Sequence, residues 1–403
     1  MDKTILVVNC GSSTLKLALF DENTLTCTAT GLAERLNHDD AVARIGKIEG
    51  DIPLPAGATH RQALEAMTKA LADSGLLTGP PAAIGHRVVH GGENFREAAL
   101  IDDEVLRAIR ECADLAPLHN PVNLSGIDST MSLFPEVPNI AVFDTAYHQT
   151  LPRKAYLYAV PYSYYEDWGV RRYGFHGISH SYMLTEAARR LGKTPANTSI
   201  ISAHLGNGCS IAAIRDGLSA DTSMGLTPLE GLVMGSRSGD IDPGLFDYLK
   251  SRGVAQDQLH HVLNHESGLL GLSGQTNDMR TLCDLAEHGH EPSLIAIEVF
   301  CFRLARYIGA MMASLHHLDA LVFTGGIGEH SARVREQTLE NLQLLGFDID
   351  GQLNRYNGQY SDGHIGSPDS QFPILVIPTN EELVIAREAA RLATAPNGPV
   401  TPG

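Results

Sequence analysis

Two short glycine turns, one near the N-terminus and one at mid-chain, each lie between two strand-like runs. The first reads Asn9-Cys10-Gly11-Ser12-Ser13-Thr14-Leu15-Lys16 and the second His204-Leu205-Gly206-Asn207-Gly208. Backbone N–H groups in such turns form concave anion sites, because few side chains stand in the way. Three hydroxyl groups and the charge of Lys16 add to the first turn. One turn alone would be read as a plain hairpin, but the pair favours a polyphosphate site.

A third glycine segment, Gly325-Gly326-Ile327-Gly328-Glu329, follows a strand-like run and precedes a helix-like one. A glycine turn from a strand to a helix N-terminus is a natural nucleotide site. It is not a dinucleotide fingerprint, because Ser331 stands where the third glycine is needed. Gly192-Lys193-Thr194 is not a Walker A loop either, because Ala187 occupies the position of its first glycine. We therefore expect a nucleotide site that differs from the P-loop.

Two arginines lie in glycine-rich segments: Arg87 in Gly85 to Glu93, and Arg237 in Gly235 to Pro243. A guanidinium can grip a carboxylate or a phosphate with two parallel hydrogen bonds. The alternative for either residue is a structural salt bridge. Asp144 closes an apolar run, so it lies either at a ligand-binding sheet edge or at a helix N-cap.

Two histidine pairs, His86 with His90 and His176 with His180, have the i, i+4 spacing of zinc ligands on a helix. Glycines flank His176, which argues against a helix beginning before it, and no His-Glu-x-x-His is present. We therefore expect His176 to lie in a loop and to donate a hydrogen bond to a ligand.

The elements that must position these groups alternate between strands and helices, which predicts an α/β fold. The two strand–turn–strand segments align with an offset of 195 residues, so that Asn9 meets His204 and Gly11 meets Gly206. This repeat indicates two domains of common design. Helices are predicted over 61–72, 103–113, 179–191 and 292–317, and further buried strands over 82–88, 139–143, 320–323 and 374–377.

Composition limits the class of partner. Lys plus Arg is 30 and Asp plus Glu is 47, which gives a net charge of −17. Such a chain repels nucleic acid and acidic membranes, so an anionic substrate needs a local basic site.

The six cysteines form no Cys-x-x-Cys motif, which predicts free thiols in a reducing compartment. No run is long enough for a signal peptide core or a membrane span, so a cytoplasmic location is expected. Residues 394–403 are expected to be disordered.

Together these motifs resemble the acetate kinase family, within the fold of actin, hexokinase and the heat-shock chaperone ATPases. The resemblance also includes Phe143 to His148, Arg172 to His176, Met234 to Pro243, Asp278 to Arg280 and Thr379 to Glu382. It implies an α/β fold of two duplicated actin-like (ribonuclease H-like) domains with an interdomain active-site cleft. The first domain would be 1–148 plus 382–403, and the second 149–381 would provide nucleotide and dimer contacts.

The resemblance also implies roles for individual residues. Asn9 and Glu381 would position Mg²⁺, with Mn²⁺ as an alternative ion, and Lys16 would face the nucleotide phosphates. Arg87 would hold the substrate carboxylate. The catalytic residues would be Asp144, His176 and Arg237. The methyl group of the acid would contact Val89, Leu118, Phe175 and Pro228. The nucleotide would lie against His204, Leu205, Gly206, Asn207, Gly208, Asp278, Met279, Arg280, Gly326, Ile327, Gly328, Glu329 and His330.

The activity implied is reversible transfer of the ATP γ-phosphate to acetate by a homodimeric enzyme, giving acetyl phosphate and ADP. Carboxyl pKa values lie at roughly 3.5 to 4.5, so the nucleophile is already ionised and no general base is needed. Direct in-line transfer is therefore simpler than a phospho-enzyme, and Asp144 would orient the metal or an arginine. Cys209, Ser236 and His330 differ from the residues usual at these positions in the family. Cys209 and His330 would lie beside the nucleotide pocket, so they bear on nucleotide preference.

Three alternatives remain open from the sequence. One is a propionate or short-chain fatty acid kinase of the same family. Another is a kinase that takes its phosphate from pyrophosphate. The third is an actin-like ATPase switch without a small-molecule acceptor, which gives no reason for Arg87 and Arg237.

Overall fold

The computed structural model describes residues 3–117 and 119–394. Its internal contacts divide the chain into two compact units. The first unit is Met1–Gln149 with Asn380–Gly403, and the second is Thr150–Thr379. The assignment of nucleotide and dimer contacts to particular domains stays a prediction.

The first unit is built on a seven-stranded sheet in the order β4-β3-β2-β1-β5-β7-β6. Strands β1 to β4 form an antiparallel meander, β5 and β7 run parallel to β1, and β6 is an antiparallel edge. The strands are β1 Thr4–Cys10, β2 Leu15–Asp21, β3 Cys27–Glu34, β4 Val42–Ile45, β5 Ala83–Val88, β6 Ala99–Leu100 and β7 Asn139–Phe143.

Three helices of the first unit accompany this sheet: α1 His60–Asp73, α2 Asp103–Glu111 and α3 Asn120–Leu133. Helix α1 begins with a capping box, in which Thr59 and Gln62 satisfy each other's backbone N–H groups. Its apolar face, with Leu64 and Met67, packs on buried leucines of β1 and β2. Strands β1 and β7 are buried on both faces and read as apolar runs, whereas β5 also contains His86 and Arg87.

The second unit contains a five-stranded sheet in the order β10-β9-β8-β11-β12. Its strands are β8 Ile200–Leu205, β9 Cys209–Arg215, β10 Leu218–Thr222, β11 Ala320–Thr324 and β12 Ile374–Val376. Its helices are α4 Arg153–Tyr156, α5 Ser163–Trp168, α6 Gly177–Arg190, α7 Leu245–Ser251, α8 Gln256–His265, α9 Gly268–Ser273, α10 Met279–Glu287, α11 Glu291–Met312, α12 Gly325–His330, α13 Ala332–Glu340 and α14 Gly351–Arg355.

Both sheets share one topology, which confirms the predicted duplication. In each, the first strand (β1 or β8) forms an antiparallel meander with the two strands that follow it, and two further strands (β5 and β7, or β11 and β12) run parallel to it on its other side. Strands β4 and β6 extend the first sheet only. The hairpins differ by one residue. Cys10 pairs with Leu15 across a four-residue turn, whereas Leu205 pairs with Cys209 across three residues.

The chain returns to the first unit through α15 Glu381–Thr394. This helix packs on β1 and β5. Gly85 of β5 is needed there, because a Cβ at this position would lie 2.6 Å from Ile385 Cγ2. Of the tail predicted to be disordered, Thr394 is helical and 395–403 lie outside the described residues.

Two predicted elements need correction. The predicted helix over 292–317 ends at Met312, because Ser314 is drawn to β10 by a hydrogen bond from its hydroxyl to Asp221 Oδ2 (3.1 Å). The glycine segment 325–329 is not a turn ahead of a helix but is itself part of the short helix α12. That helix begins directly after β11, because Gly325 turns the chain with φ 76°.

All six cysteines are free thiols, as predicted. None of the described helices combines the length and the apolar character that crossing a membrane requires.

Candidate active site

Three parallel strands of the first unit end side by side. Val8 pairs with His86, and Arg87 pairs with Val142. Asn9 is the next residue of β1, and Asp144 follows β7. Asn9, Arg87 and Asp144 therefore meet at the carboxyl edge of the sheet, where open α/β sheets bind ligands.

Arg87 and Asp144 form an ion pair at this edge. Arg87 Nη2 lies 2.6 Å from Asp144 Oδ2, and Nε lies 3.2 and 3.1 Å from the two carboxylate oxygens. The Asp144 side chain is 1% exposed and that of Arg87 is 20% exposed. Burial acts to lower the pKa of Arg87, but attraction by Asp144 and Glu381 outweighs it and raises that pKa. Nη1 of Arg87 donates to no acceptor in the described part of the chain, so it remains available to an anion.

Two asparagines of α3, which sequence reasoning missed, hold the backbone around this pair. Asn123 Oδ1 accepts from Val89 N at 3.1 Å, and its Nδ2 donates to Cys10 O at 3.0 Å. Asn120 exchanges hydrogen bonds with both backbone groups of His90. Both asparagines are buried. Their i, i+3 spacing, which puts both amides on one face of α3, was the signal that could have found them.

The remaining site residues of the first unit are Asn9, Lys16 and Glu381. Lys16 is exposed on β2, directly opposite Asn9 in the hairpin register. It makes no ion pair with the described residues. Glu381 opens α15, and its charge acts on Arg87. The amide and carboxylate oxygens of Asn9 and Glu381 are ligands of the type that Mg²⁺ prefers, so these residues fit a magnesium ion.

In the second unit, His176 immediately precedes α6 and adopts a left-handed conformation with φ 56°. Its ring stacks on that of His204, with centroids 4.4 Å apart. A Cβ on Gly208 would lie 3.2 Å from His176 Nε2 and 3.7 Å from Arg237 Nη1. The structure therefore gathers His176, His204 and Arg237 around the second glycine turn.

His180, the other member of this histidine pair, has a structural role. Its ring nitrogens lie 2.9 Å from Ser202 Oγ and 3.0 Å from Ser210 Oγ. His86 is likewise buried and bonded to Asn139 Oδ1 at 2.8 Å. Both histidine rings thus form hydrogen bonds with uncharged side chains.

Arg237 differs from Arg87 in having no carboxylate partner within residues 3–117 and 119–394. Its Nη1 donates to Pro228 O at 3.1 Å. Burial lowers its pKa, and the nearby Cys209 acts in the other direction. Arg87 thus forms an ion pair while keeping Nη1 open, whereas Arg237 forms no ion pair with the described residues. A half-buried guanidinium without an anion is a natural site for an anionic ligand.

A cavity of about 500 Å³ lies in the second unit, between the second glycine turn, α10 and α12. Eight of the residues predicted to contact nucleotide line it: Gly206, Asn207, Asp278, Met279, Arg280, Gly326, Ile327 and His330. The others predicted for nucleotide do not line it: Lys16, His204, Leu205, Gly208, Gly328 and Glu329.

Glu329 turns away from this cavity. Its Oε1 accepts from Gly325 N at 2.9 Å and from Thr379 N at 3.0 Å. The cavity also contains residues that were not predicted: Asn277, Cys283, Asp284, Glu287, Ser331, Ala332 and Arg333. Helical periodicity from Arg280 along α10 could have found three of them.

The predicted methyl-pocket residues fall in both units. Phe175 is 1% exposed, Val89 is 7% exposed and Pro228 is half-buried. Leu118 lies outside the described residues. Val89 lies two residues after Arg87, but β5 ends at Val88, so strand alternation does not place the two side chains on one side. Val89 is instead held by the Asn123 amide described above.

The chain matches the model of the acetokinase family over residues 4–387. It is 50% identical over 400 residues to an acetate kinase of Chromobacterium violaceum, covering 98% of this chain and 100% of that protein. It is also 50% identical over 397 residues to an acetate kinase of Deinococcus deserti, covering 98% of each.

Two solved structures share the fold. The crystal structure of a propionate kinase from Francisella tularensis has a TM-score of 0.91 at 44% identity, covering 96% of this chain and 99% of that one. That of Porphyromonas gingivalis acetate kinase has a TM-score of 0.89 at 37% identity, covering 97% and 99%. With its duplicated α/β topology and near-complete match, this chain belongs to the acetokinase family of kinases.

Proposed function

We propose that this enzyme reversibly transfers the γ-phosphate of ATP to acetate, giving acetyl phosphate and ADP. The observation that carries the proposal is the Arg87–Asp144 pair, which fixes one side of a guanidinium and leaves Nη1 open at a ligand-binding edge. The names of the curated relatives support acetate as the acid.

The residues suit a direct displacement. A carboxylate oxygen of acetate attacks the γ-phosphorus, and the bond to the β,γ-bridging oxygen breaks as ADP leaves. Arg87 would hold the acid, and His176 and Arg237 would stabilise charge on the transferring group. Both Asp144 oxygens already accept hydrogen bonds from Arg87, so Asp144 would orient Arg87 rather than take a proton.

The nucleotide would occupy the cavity of about 500 Å³ beside Asn207, Arg280 and α12. Asn9 and Glu381 would hold Mg²⁺, whose chemistry is to neutralise phosphate charge. Lys16 would add a further positive charge near the phosphates. We also propose a cytoplasmic location, which the six free thiols support.

A homodimer is proposed through apolar helices of the second unit. Ile295 and Phe302 of α11 are 43% and 56% exposed, which leaves apolar surface available for such a contact. A monomer at micromolar concentration in sedimentation would contradict this proposal.

The test measures acetyl phosphate formation with a panel of acids and of phosphoryl donors. Acetate with ATP should give the highest kcat/KM, and pyrophosphate should not replace ATP. Phosphate release that needs no acid would indicate an ATPase switch instead. Omission of the divalent ion should abolish transfer.

A propionate kinase is the second candidate. The observation favouring it is the 0.91 TM-score to a propionate kinase. A higher kcat/KM for propionate than for acetate in the same panel would establish this alternative.

A further inference from the structure

Two arginines of the second unit differ in their charge partners. Arg172 Nη2 lies 2.6 Å from Glu230 Oε1, with side chains 17% and 30% exposed. The Tyr158 hydroxyl donates to the other oxygen of Glu230. Glu230 thus neutralises Arg172, whereas Arg237 keeps a positive charge with no described carboxylate beside it.

The Glu230 contacts join two backbone segments. Arg172 Nη1 donates to Ser223 O at 2.9 Å and to Met224 O at 3.1 Å. The Tyr158 hydroxyl accepts from Leu226 N at 2.8 Å. Since Tyr173 N also donates to Gly225 O at 3.0 Å, the turn 223–231 is fixed against the segment 171–176.

This turn contacts both Arg237 and the segment that follows Arg237. The carbonyl of Pro228, within the turn, accepts the hydrogen bond from Arg237. The turn ends at Gly231, whose N–H donates to Asp240 Oδ1 at 2.8 Å. Asp240 lies three residues beyond Arg237, and Tyr307 of α11 donates to its Oδ2 at 2.5 Å. The placement of Arg237 therefore depends on the turn that Glu230 holds.

We propose that Glu230 is a positioning residue, which sets the placement of Arg237 and Pro228 and thereby both phosphoryl transfer and the size of the acid accepted. This inference rests on the proposed function, since it needs a transferred phosphoryl group for Arg237 to meet. A carboxylate suits the role, because it accepts from Arg172 and Tyr158 while balancing the charge of Arg172.

The experiment replaces Glu230 with Gln, which keeps the shape but removes the charge. Misplacement by about 1 Å can cost as much as 10²-fold in rate, so we expect kcat to fall by roughly 10-fold or more. The KM for ATP should change little, because neither Glu230 nor its partners line the nucleotide cavity. The ratio of kcat/KM for acetate over propionate should fall, because Pro228 is no longer held. Glu230→Asp, which restores the charge, should recover part of kcat.

The matched control is Glu186→Gln. Glu186 is also a partly buried carboxylate, paired with Arg189 at 3.2 Å and with Arg190 at 3.7 Å. The Glu186→Gln variant should leave kcat unchanged, and also the ratio of kcat/KM for acetate over propionate. If Glu230→Gln is not folded, Tyr158→Phe removes the hydroxyl from the same cluster and should shift kcat and the acid ratio in the same direction.

The outcomes separate the two proposals. Wild-type enzyme without acetyl phosphate formation refutes the proposed function. An active wild type, with folded Glu230 or Tyr158 variants that lose stability but keep the wild-type kcat and acid ratio, overturns the positioning role.

Discussion

The guanidinium of Arg87 occupies both carboxylate oxygens of Asp144, with Nη2 2.6 Å from Oδ2 and Nε 3.2 Å from Oδ1. The carboxylate is almost fully buried, whereas one-fifth of the Arg87 side chain is exposed. The pair is thus anchored at its aspartate end and open at its arginine end. This arrangement presents a fixed cation without requiring a proton acceptor, which suits a substrate that is already ionised.

Asp144→Asn should remove this anchor. We expect kcat to fall by about 10²-fold, as for loss of a charge-assisted donor to the reacting group, and the acetate KM to rise as Arg87 loses its orientation. Breaking a fully buried pair costs about 3–5 kcal/mol, and the partial exposure of Arg87 places the expected loss near the lower value. Steady-state kinetics and urea unfolding measure the two effects.

Asp51→Asn is the matched control for Asp144→Asn. It breaks the Arg44–Asp51 pair of the same unit, whose side chains are 59% and 56% exposed. Because exposed pairs contribute little, stability and kinetics should both remain near those of the wild type. Equal effects of the two substitutions would show that the buried pair has no special role.

Arg237→Ala and Arg237→Lys should separate charge from geometry. Arg237 has no described ion pair to lose, so both variants should fold with nearly unchanged stability. We expect Arg237→Ala to lower kcat by about 10²-fold or more with a smaller change in KM, because the lost interaction acts on the transition state. Lysine keeps the charge but not the two-pronged fork, and should recover only part of kcat. Wild-type turnover in the alanine variant would make this arginine structural.

How far the sequence predicts this site depends on the kind of signal. The glycine hairpins are local features, so the repeat of Asn9 at His204 correctly predicted two sheets of one topology. Arg87 and Asp144 are 57 residues apart, and only their strand-end positions hinted that they would meet. The spacing of its amide can single out Asn123, but its partner, the Cys10 carbonyl, and the partner of Glu230, the Arg172 side chain, lie far away in sequence and are encoded by no local pattern. The prediction of a turn at 325–329 was wrong for a local reason. Three glycines favour a turn by propensity, and tertiary contacts overrode that preference in α12.

Substitution of the two adjacent glycines of α12 should affect different properties, stability for Gly325 and ATP binding for Gly326. Gly325 has φ 76°, and a Cβ there would lie 2.7 Å from Leu205 O. Gly325→Ala should therefore lower the free energy of unfolding by about 1–3 kcal/mol from backbone strain alone, with further loss from the clash. Gly326 has open space at its Cβ position and lines the cavity. Gly326→Ala should keep stability and raise the KM for ATP. An unchanged ATP KM would place the nucleotide elsewhere.

Buried histidine should make the first unit sensitive to acid. Burial lowers the pKa of His86 from 6.5 to about 4, despite a hydrogen bond with Asn139. Between these values the unfolded chain binds a proton that the folded chain excludes, so the free energy of unfolding falls as pH falls from 6.5 to 4. The full shift corresponds to about 3 kcal/mol. His86→Gln should flatten this dependence in urea unfolding between pH 7 and pH 4.5, although His90, whose pKa burial also lowers to about 4, keeps part of it. His38→Gln, at an exposed position, should leave the slope unchanged.

Acid size should be set in part by Val89, with acetate preferred over propionate and butyrate poor. Val89 is 7% exposed and directly follows β5, where the amide of Asn123 holds its backbone. The family resemblance assigns Val89 to the methyl pocket, where its branched side chain would crowd the space beyond a two-carbon acid. One methylene in an apolar pocket gives only about 10- to 200-fold discrimination, so propionate should still react.

Val89→Ala should raise kcat/KM for propionate relative to acetate. Val88→Ala is the control, because Val88 packs in the core with Ile109 and Phe143, and it should lower stability without moving the acid ratio. An unchanged ratio in Val89→Ala would remove Val89 from the pocket, and a wild type that already prefers propionate would make the enzyme a propionate kinase.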